Sequence, residues 1–190
     1  MNYYVLPNLN TAVSTLSLKH PSKLPANTKK FSDKEKFREW CIDDSTRHCF
    51  FSTVEGANPH QRVSGGNPPF KIHGIVGDYD GDVDTSDMVK LAEFVRKKSP
   101  GGWCPTWISK TYSGKARAVW EFAKPLPADN EGLLNKIIDT IMIEARARTL
   151  LPGFDSASKN PSMYWELGSE WIKVGDSIAE SKLEAIFFDL

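Results

Sequence analysis

Residues 72–84, Ile-His-Gly-Ile-Val-Gly-Asp-Tyr-Asp-Gly-Asp-Val-Asp, constrain the fold of this chain more than any other stretch. An apolar run broken by glycines leads straight into acids at every second position. Side chains on a strand alternate faces, so Asp78 and Asp80 project to the same side at the strand's end. Two carboxylates held that close repel unless a cation lies between them, and hard oxygen ligands suit Mg²⁺ or Mn²⁺. The pattern therefore predicts a divalent-metal site. A solvated acidic turn is the rival reading, but it gives no reason for an apolar strand leading into alternating acids. A helix-loop-helix calcium loop fails in detail. Counted from Asp78, its glycine and glutamate positions fall on Val83 and Val89; counted from Asp80, they fall on Thr85 and Leu91.

With 190 residues, 40% of them hydrophobic and 11% aromatic, the chain can bury a real core as one domain or two small lobes. Lysine plus arginine and aspartate plus glutamate number 24 each, so any attraction for nucleic acid must come from a local patch. No apolar run approaches a membrane span, and the N-terminus lacks a charged-then-apolar signal pattern. A soluble, intracellular (cytoplasmic) protein is expected. Cys41, Cys49 and Cys104 form no C-x-x-C pair, which argues against a disulfide framework. Cys41, His48 and Cys49 lack a fourth zinc ligand, so structural cysteines are expected.

Residues 1–30 read as a short strand or arm and a loop, with one apolar segment from Ala12 to Leu18. Ser32-Asp33-Lys34-Glu35 has the form of a capping box and predicts a helix from Asp33 to about Ile42. Arg47 to Val54 is rich in strand formers, and the glycines and prolines up to Pro69 mark a long loop. From Phe70 the pattern is regular. A strand over 70–79 precedes a helix from about Thr85 to Lys98, with Met88, Leu91, Ala92 and Val95 on one face. Strands near Cys104–Lys110 and Ala116–Phe122 follow, joined by a turn through Tyr112-Ser113-Gly114-Lys115. Pro125 and Pro127 break the chain before a second helix, which runs to about Arg148 with Leu134, Ile137, Ile138, Ile141 and Ala145 as its apolar stripe. A last strand is predicted over Ser162–Leu167. This βαββαβ order fits an α/β (α+β) fold of the ferredoxin-like or RNA-recognition (RRM-like) type. In it, four strands carry both helices on one face and leave the acids on the open face. The amphipathic segment from Ile178 to Phe187 would pack on the core or begin a further domain.

Two other stretches offer chemistry. Ser113-Gly114-Lys115-Ala116-Arg117 lies on the hairpin beside the acidic strand. A glycine turn can expose backbone N–H groups, and Ser, Lys and Arg add donors suited to phosphate oxygens. The P-loop spacing is absent. Paired with a metal strand, the hairpin suggests a triphosphate bound between metal and cations. Asp155, in Phe154-Asp155-Ser156-Ala157-Ser158-Lys159-Asn160-Pro161, is either a third ligand or part of a connector; spacing alone leaves both open. Asn160-Pro161 sets a turn into the next strand.

An apolar strand ending in D-x-D, then S-G on a hairpin, then an apolar residue and Asp followed by N-P, resembles the archaeo-eukaryotic primase superfamily. The likeness is to primase-polymerase domains of phage and plasmid replication proteins. Its motifs span residues 70–168. The resemblance implies one catalytic domain over 1–190: a small N-terminal α/β lobe (1–69), a catalytic module (70–168) and a C-terminal helical segment (169–190). It also implies that Asp78, Asp80 and Asp155 hold two Mg²⁺ or Mn²⁺ ions, and that Ser113, Gly114, Lys115 and Arg117 hold the triphosphate of an incoming NTP or dNTP. Arg117 stands where the family usually has His; it can bind phosphate but cannot titrate. Met163-Tyr164-Trp165 follows the N-P where the family often has Arg, so base or sugar contacts would differ. The expected activity is template-directed nucleotidyl transfer, DNA primase or polymerase, on single-stranded DNA. A helicase would be a separate protein or a further C-terminal portion, since no Walker motif is present. Arg47, Arg62 and Lys71, or Lys110 with Trp103 and Trp107, are candidates for a template track.

Two alternatives remain at this level. Asp78-Tyr79-Asp80-Gly81 also resembles the nucleophile loop of haloacid-dehalogenase phosphatases, with Gly175-Asp176 and Glu180 faintly echoing their later acidic motif. In that reading Asp78 is the nucleophile and Asp80 the general acid-base. The strand order, however, does not alternate as a parallel sheet requires. A non-catalytic nucleic-acid-binding module is the other alternative; the aromatic RNA-binding signature is missing, and acids on the sheet would repel phosphate.

Overall fold

The computed structural model describes residues 2–6, 29–31, 33, 35–37, 39, 48–56, 68–161 and 163–187. The apolar segment 12–18, Arg47, Arg62, Cys41 and the side chains of His48 and Cys49 lie outside the described residues. The strands are β1 (Asn2–Leu6), β2 (Lys29–Phe31), β3 (His48–Ser52), β4 (Val54–Glu55), β5 (Phe70–Tyr79), β6 (Trp107–Lys110), β7 (Ala116–Ala128), β8 (Trp165–Glu166) and β9 (Glu170–Lys173). The helices are α1 (Met88–Lys98), α2 (Glu131–Glu144), α3 (Ala147–Leu150) and α4 (Glu180–Phe187), with a 3₁₀ turn at Ser156–Lys159. The protein is mixed α/β, with two antiparallel sheets ordered β2-β1-β3-β8 and β4-β5-β7-β6-β9.

The β5-β7-β6 centre of the larger sheet has the strand order of the predicted βαββα unit. The fourth strand differs from expectation. Residues 165–166 leave this sheet and pair with β3 in the other one, Phe50 opposite Glu166 and Phe51 opposite Trp165. The larger sheet takes its edges instead from β4 and β9, which come from the stretches on either side of 70–168.

Alternation along β5 decides what each face buries. Ile75 and Tyr79 join the main core with Met88, Leu91, Ala92 and Val95 of α1 and Leu134, Ile137, Ile138 and Ile141 of α2. Ile72 lies in the same core because the register slips between Ile72 and Gly74, which restores its phase with Ile75. On the opposite face Val76 and Val119 pack against Phe37, Phe51 and Trp165, with Trp107 and Trp171 at the margin. The face expected to be open is therefore covered here by apolar residues of the second sheet. Water is displaced from both sides of β5, as its nearly unbroken apolar run requires.

Local chemistry accounts for most element ends. Asp33 accepts from the N–H groups of Glu35 and Lys36 and so caps the helical residues 35–37; Ser32 lies outside the described residues. Helix α1 begins later than the expected Thr85: Asp87 caps it through the Lys90 N–H, while the Thr85 hydroxyl donates to the Gly114 carbonyl across the fold. Pro125 and Pro127 do not end β7. Its pairing with β6 covers only residues 116–119, so the proline segment is an edge on that side and needs no N–H there. The second helix breaks at Arg146, which has φ 49°, and restarts as α3. Asn130 caps α2 by accepting from the Leu133 N–H at 2.9 Å. Asn130→Ala is expected to cost about 1 kcal/mol in urea unfolding, the usual value of a lost cap. No helix among the described residues is long and apolar enough to cross a membrane.

Candidate active site

The acidic end of β5 is fixed from several directions. The Tyr79 hydroxyl, buried beneath it, donates to the Ala147 carbonyl at 2.5 Å. The segment after α3 then returns along the strand's end. The Asp80 N–H donates to the Gly153 carbonyl at 2.7 Å, and the Asp155 N–H to the Asp78 carbonyl at 2.8 Å. Phe154 bridges Tyr79 in antiparallel fashion. The Asp78 N–H in turn donates to the Ser158 hydroxyl at 3.0 Å. Asp155 is thus a neighbour of Asp78 and not a remote connector residue. One of its carboxylate oxygens caps the 3₁₀ turn, accepting from the Ala157 N–H at 2.9 Å. The close approach needs two glycines: Gly153 has φ +74°, and a Cβ there would lie 2.0 Å from the Gly81 nitrogen.

Cross-strand register supplies the cation. Asp78 lies opposite Arg117, Arg117 opposite Ser109 and Ser109 opposite Trp171, all in one row on the face turned toward the second sheet. Arg117 Nε donates to Asp78 Oδ1 at 3.0 Å, with the side chains only 4% and 15% exposed. Arg117 Nη1 also donates to the Glu166 carbonyl, and the guanidinium carbon sits 5.3 Å from the Trp165 ring centroid. Burial of a guanidinium is tolerated because a carboxylate, a carbonyl and an aromatic face meet it together.

The hairpin between β6 and β7 differs from its expected form. Its N–H groups are largely used internally: Gly114 donates to the Thr111 carbonyl and Lys115 to the Thr111 hydroxyl, each at 2.9 Å. The Tyr112 N–H donates to Glu166 Oε1 at 3.3 Å. Gly114, at φ +81° with nothing within 4 Å of an added Cβ, serves the turn's left-handed conformation. The Ser113 hydroxyl shares a hydrogen bond with that of Thr111 at 3.0 Å.

These parts enclose a pocket of about 310 Å³ lined by Asp78, Asp80 and Asp155, by Thr111, Tyr112, Ser113 and Arg117, and by 163–166. Gly114 and Lys115 are outside this lining. Glu166, Thr111 and Tyr112 were not singled out from the sequence. Glu166 had one signal, an acid inside the apolar run Met163-Tyr164-Trp165-Glu166-Leu167; the hairpin pair had none beyond adjacency to Ser113. The donor chemistry, the carboxylates of Asp78, Asp80, Asp155 and Glu166 on one pocket, fits a hard divalent cation. The set is not closed, however. Among the described residues no three His, Cys, Asp or Glu side chains stand close enough to form a metal-ligand cluster, and Asp78 and Asp155 each commit one oxygen elsewhere.

The other candidates fall away from this pocket. Asp176 is ion-paired with Lys173 at the surface, and Glu180 with Lys124. The neighbours of β5 are both antiparallel, unlike the parallel sheet of the phosphatase reading. Trp103 is buried in the main core and Trp107 packs at the second cluster, while Lys110 pairs with Glu170 at 3.5 Å, so these three form no exposed stacking track.

Fold and pocket define a two-sheet α/β protein with an acidic, arginine-braced cavity at the seam between its sheets. Among solved structures the chain is similar to the primase-polymerase AEP domain of cyanophage S-2L, at 11% identity and a TM-score of 0.46, over 97% of this chain and 87% of that one. A scan against protein-family models finds no match, and neither does a search of curated proteins.

Proposed function

We propose that this chain is a metal-dependent nucleotidyltransferase of the primase-polymerase kind, adding nucleotides to a strand on a single-stranded DNA template in phage or plasmid replication. One observation carries the reading: Asp155, remote in sequence from Asp78 and Asp80, lines one pocket with them and with Ser113 and Arg117. Three acids beside a hydroxyl and a cation match the needs of phosphoryl chemistry better than those of a passive surface. The covered sheet face also leaves little room for bases to stack as an RNA-recognition module requires.

In this reading Asp78, Asp80 and Asp155 hold Mg²⁺ or Mn²⁺. Such ions activate an attacking hydroxyl and offset charge on the departing pyrophosphate. Ser113 donates to a triphosphate oxygen at the pocket wall, Gly114 sets the turn that presents it, and Lys115 adds charge from the turn. Arg117 offsets part of the acids' charge at the pocket floor. Buried Trp165 and Tyr164 exclude water from one side. NTP or dNTP is the substrate, an intracellular location goes with the template, and a helicase is the expected functional partner.

The test is nucleotide incorporation on single-stranded DNA, with and without primer, in Mg²⁺ or Mn²⁺, using wild type and Asp80→Ala. Asp80 is chosen because it is exposed and accepts no hydrogen bond from a described side chain. Metal-dependent products that disappear in the variant are expected. Free phosphate without chain products would favour the phosphatase, and DNA binding without turnover the passive module.

A further inference from the structure

Arg117 is built into this site in a way that a simple phosphate donor would not need. Its Nε is spent on Asp78 and its Nη1 on the Glu166 carbonyl, and its face is spent on Trp165. Glu166 and Trp165 belong to the smaller sheet, Asp78 to the larger one, so the guanidinium spans the seam. A charge this buried must keep a counter-charge inside the protein. Asp78 is the acid that supplies it, and one of its oxygens is engaged before any ligand arrives. Mg²⁺ usually takes one or two protein carboxylates and completes its shell with water and substrate phosphates.

We propose that Arg117 is the resident counter-charge of Asp78 and a positioning residue. It keeps the acid aimed in the metal-free protein, and by occupying one oxygen and repelling a second cation it makes the pocket a weak site for free divalent ions. The metal then enters with the triphosphate, whose oxygens supply the ligands that the protein withholds. The inference rests on the proposed site; its binding tests need no turnover.

The experiment uses the full chain with Mn²⁺ alone as probe, read by calorimetry and by the shift of melting temperature with Mn²⁺. Removing a like charge next to the site in Arg117→Gln should tighten free Mn²⁺ binding by about fivefold or more, and Mn²⁺ should raise the melting temperature of this variant more than that of wild type. Arg117→Lys keeps the charge and should show no such gain. Binding too weak to detect in wild type but measurable in Arg117→Gln is the same expected result. Unchanged or weakened Mn²⁺ binding in Arg117→Gln overturns the proposal, and so does a gain of about fivefold in Arg117→Lys, which keeps the charge. The Arg117→Lys arm decides the matter even if Arg117→Gln does not fold. Failure of nucleotide incorporation with these Mn²⁺ results intact would remove the proposed reaction and leave the counter-charge role standing.

Discussion

Asp78→Ala is expected to destabilise the protein by about 3–5 kcal/mol, the usual result of stripping one partner from a buried ion pair. Asp80→Ala should stay within about 0.5 kcal/mol of wild type, as surface changes generally do. Yet the two acids are two residues apart on one strand and share one proposed role. The difference is Arg117. Truncating Asp78 leaves a guanidinium that is 4% exposed with only a carbonyl and a ring for company, whereas Asp80 is exposed. Asp78→Asn keeps an acceptor for Arg117 Nε and should lose less. Urea unfolding of the three variants checks this. Equal stabilities for Asp78→Ala and Asp80→Ala would mean that the pair does not hold the seam. The practical consequence is that inactivity of Asp78→Ala would mix lost chemistry with lost fold, while inactivity of Asp80→Ala would not.

Gly153→Ala should damage both the fold and the site. At φ +74° any side chain is strained, and the new Cβ would lie 2.0 Å from the backbone nitrogen of Gly81. The atoms it would meet, the nitrogen and Cα of Gly81 and the carbonyl carbon of Asp80, are all backbone and cannot move aside as a side-chain tip could. The strain alone costs about 1–3 kcal/mol, and relief requires the 152–155 segment to back away from β5. That movement breaks the Asp80 N–H to Gly153 carbonyl bond and the Asp155 N–H to Asp78 carbonyl bond together, carrying Asp155 out of the pocket. A displacement of about 1 Å at reacting groups can cost on the order of 100-fold in rate, so incorporation should fall at least that far at temperatures where the variant is still folded. Gly101→Ala is the control: an added Cβ there meets nothing within 4 Å, and both stability and incorporation should be unchanged. Wild-type incorporation by Gly153→Ala would show that Asp155 is dispensable to the site.

Much of the local structure follows from residue order. The apolar spacing of Met88, Leu91, Ala92 and Val95 places α1, and that of Leu134, Ile137, Ile138 and Ile141 places α2, because a helix repeats its face every three to four residues. The strand at 70–79 and the projection of Asp78 and Asp80 to one side follow from period two. Some boundaries were misread where a distant contact overrode the local signal. Thr85 lies outside α1, its hydroxyl bonded to Gly114, and β7 runs through two prolines because an edge strand needs no N–H on its free side.

The α/β class, both long helices, the central β5-β7-β6 unit and the acidic strand end are legible in residue order, since each depends on periodicity within a short window. Long-range packing settles where residues 165–166 pair, what covers the second face of β5, and whether Asp155 meets Asp78. The structure also shows that the hairpin N–H groups are consumed by Thr111 and Glu166, and that Arg117 is braced against Asp78, Glu166 and Trp165. The physical reason is the same in each case. A strand's edge accepts any chain with free backbone groups, so its partner is chosen by which apolar surfaces close over one another. A buried charge finds its counter-charge only after that packing has removed the water.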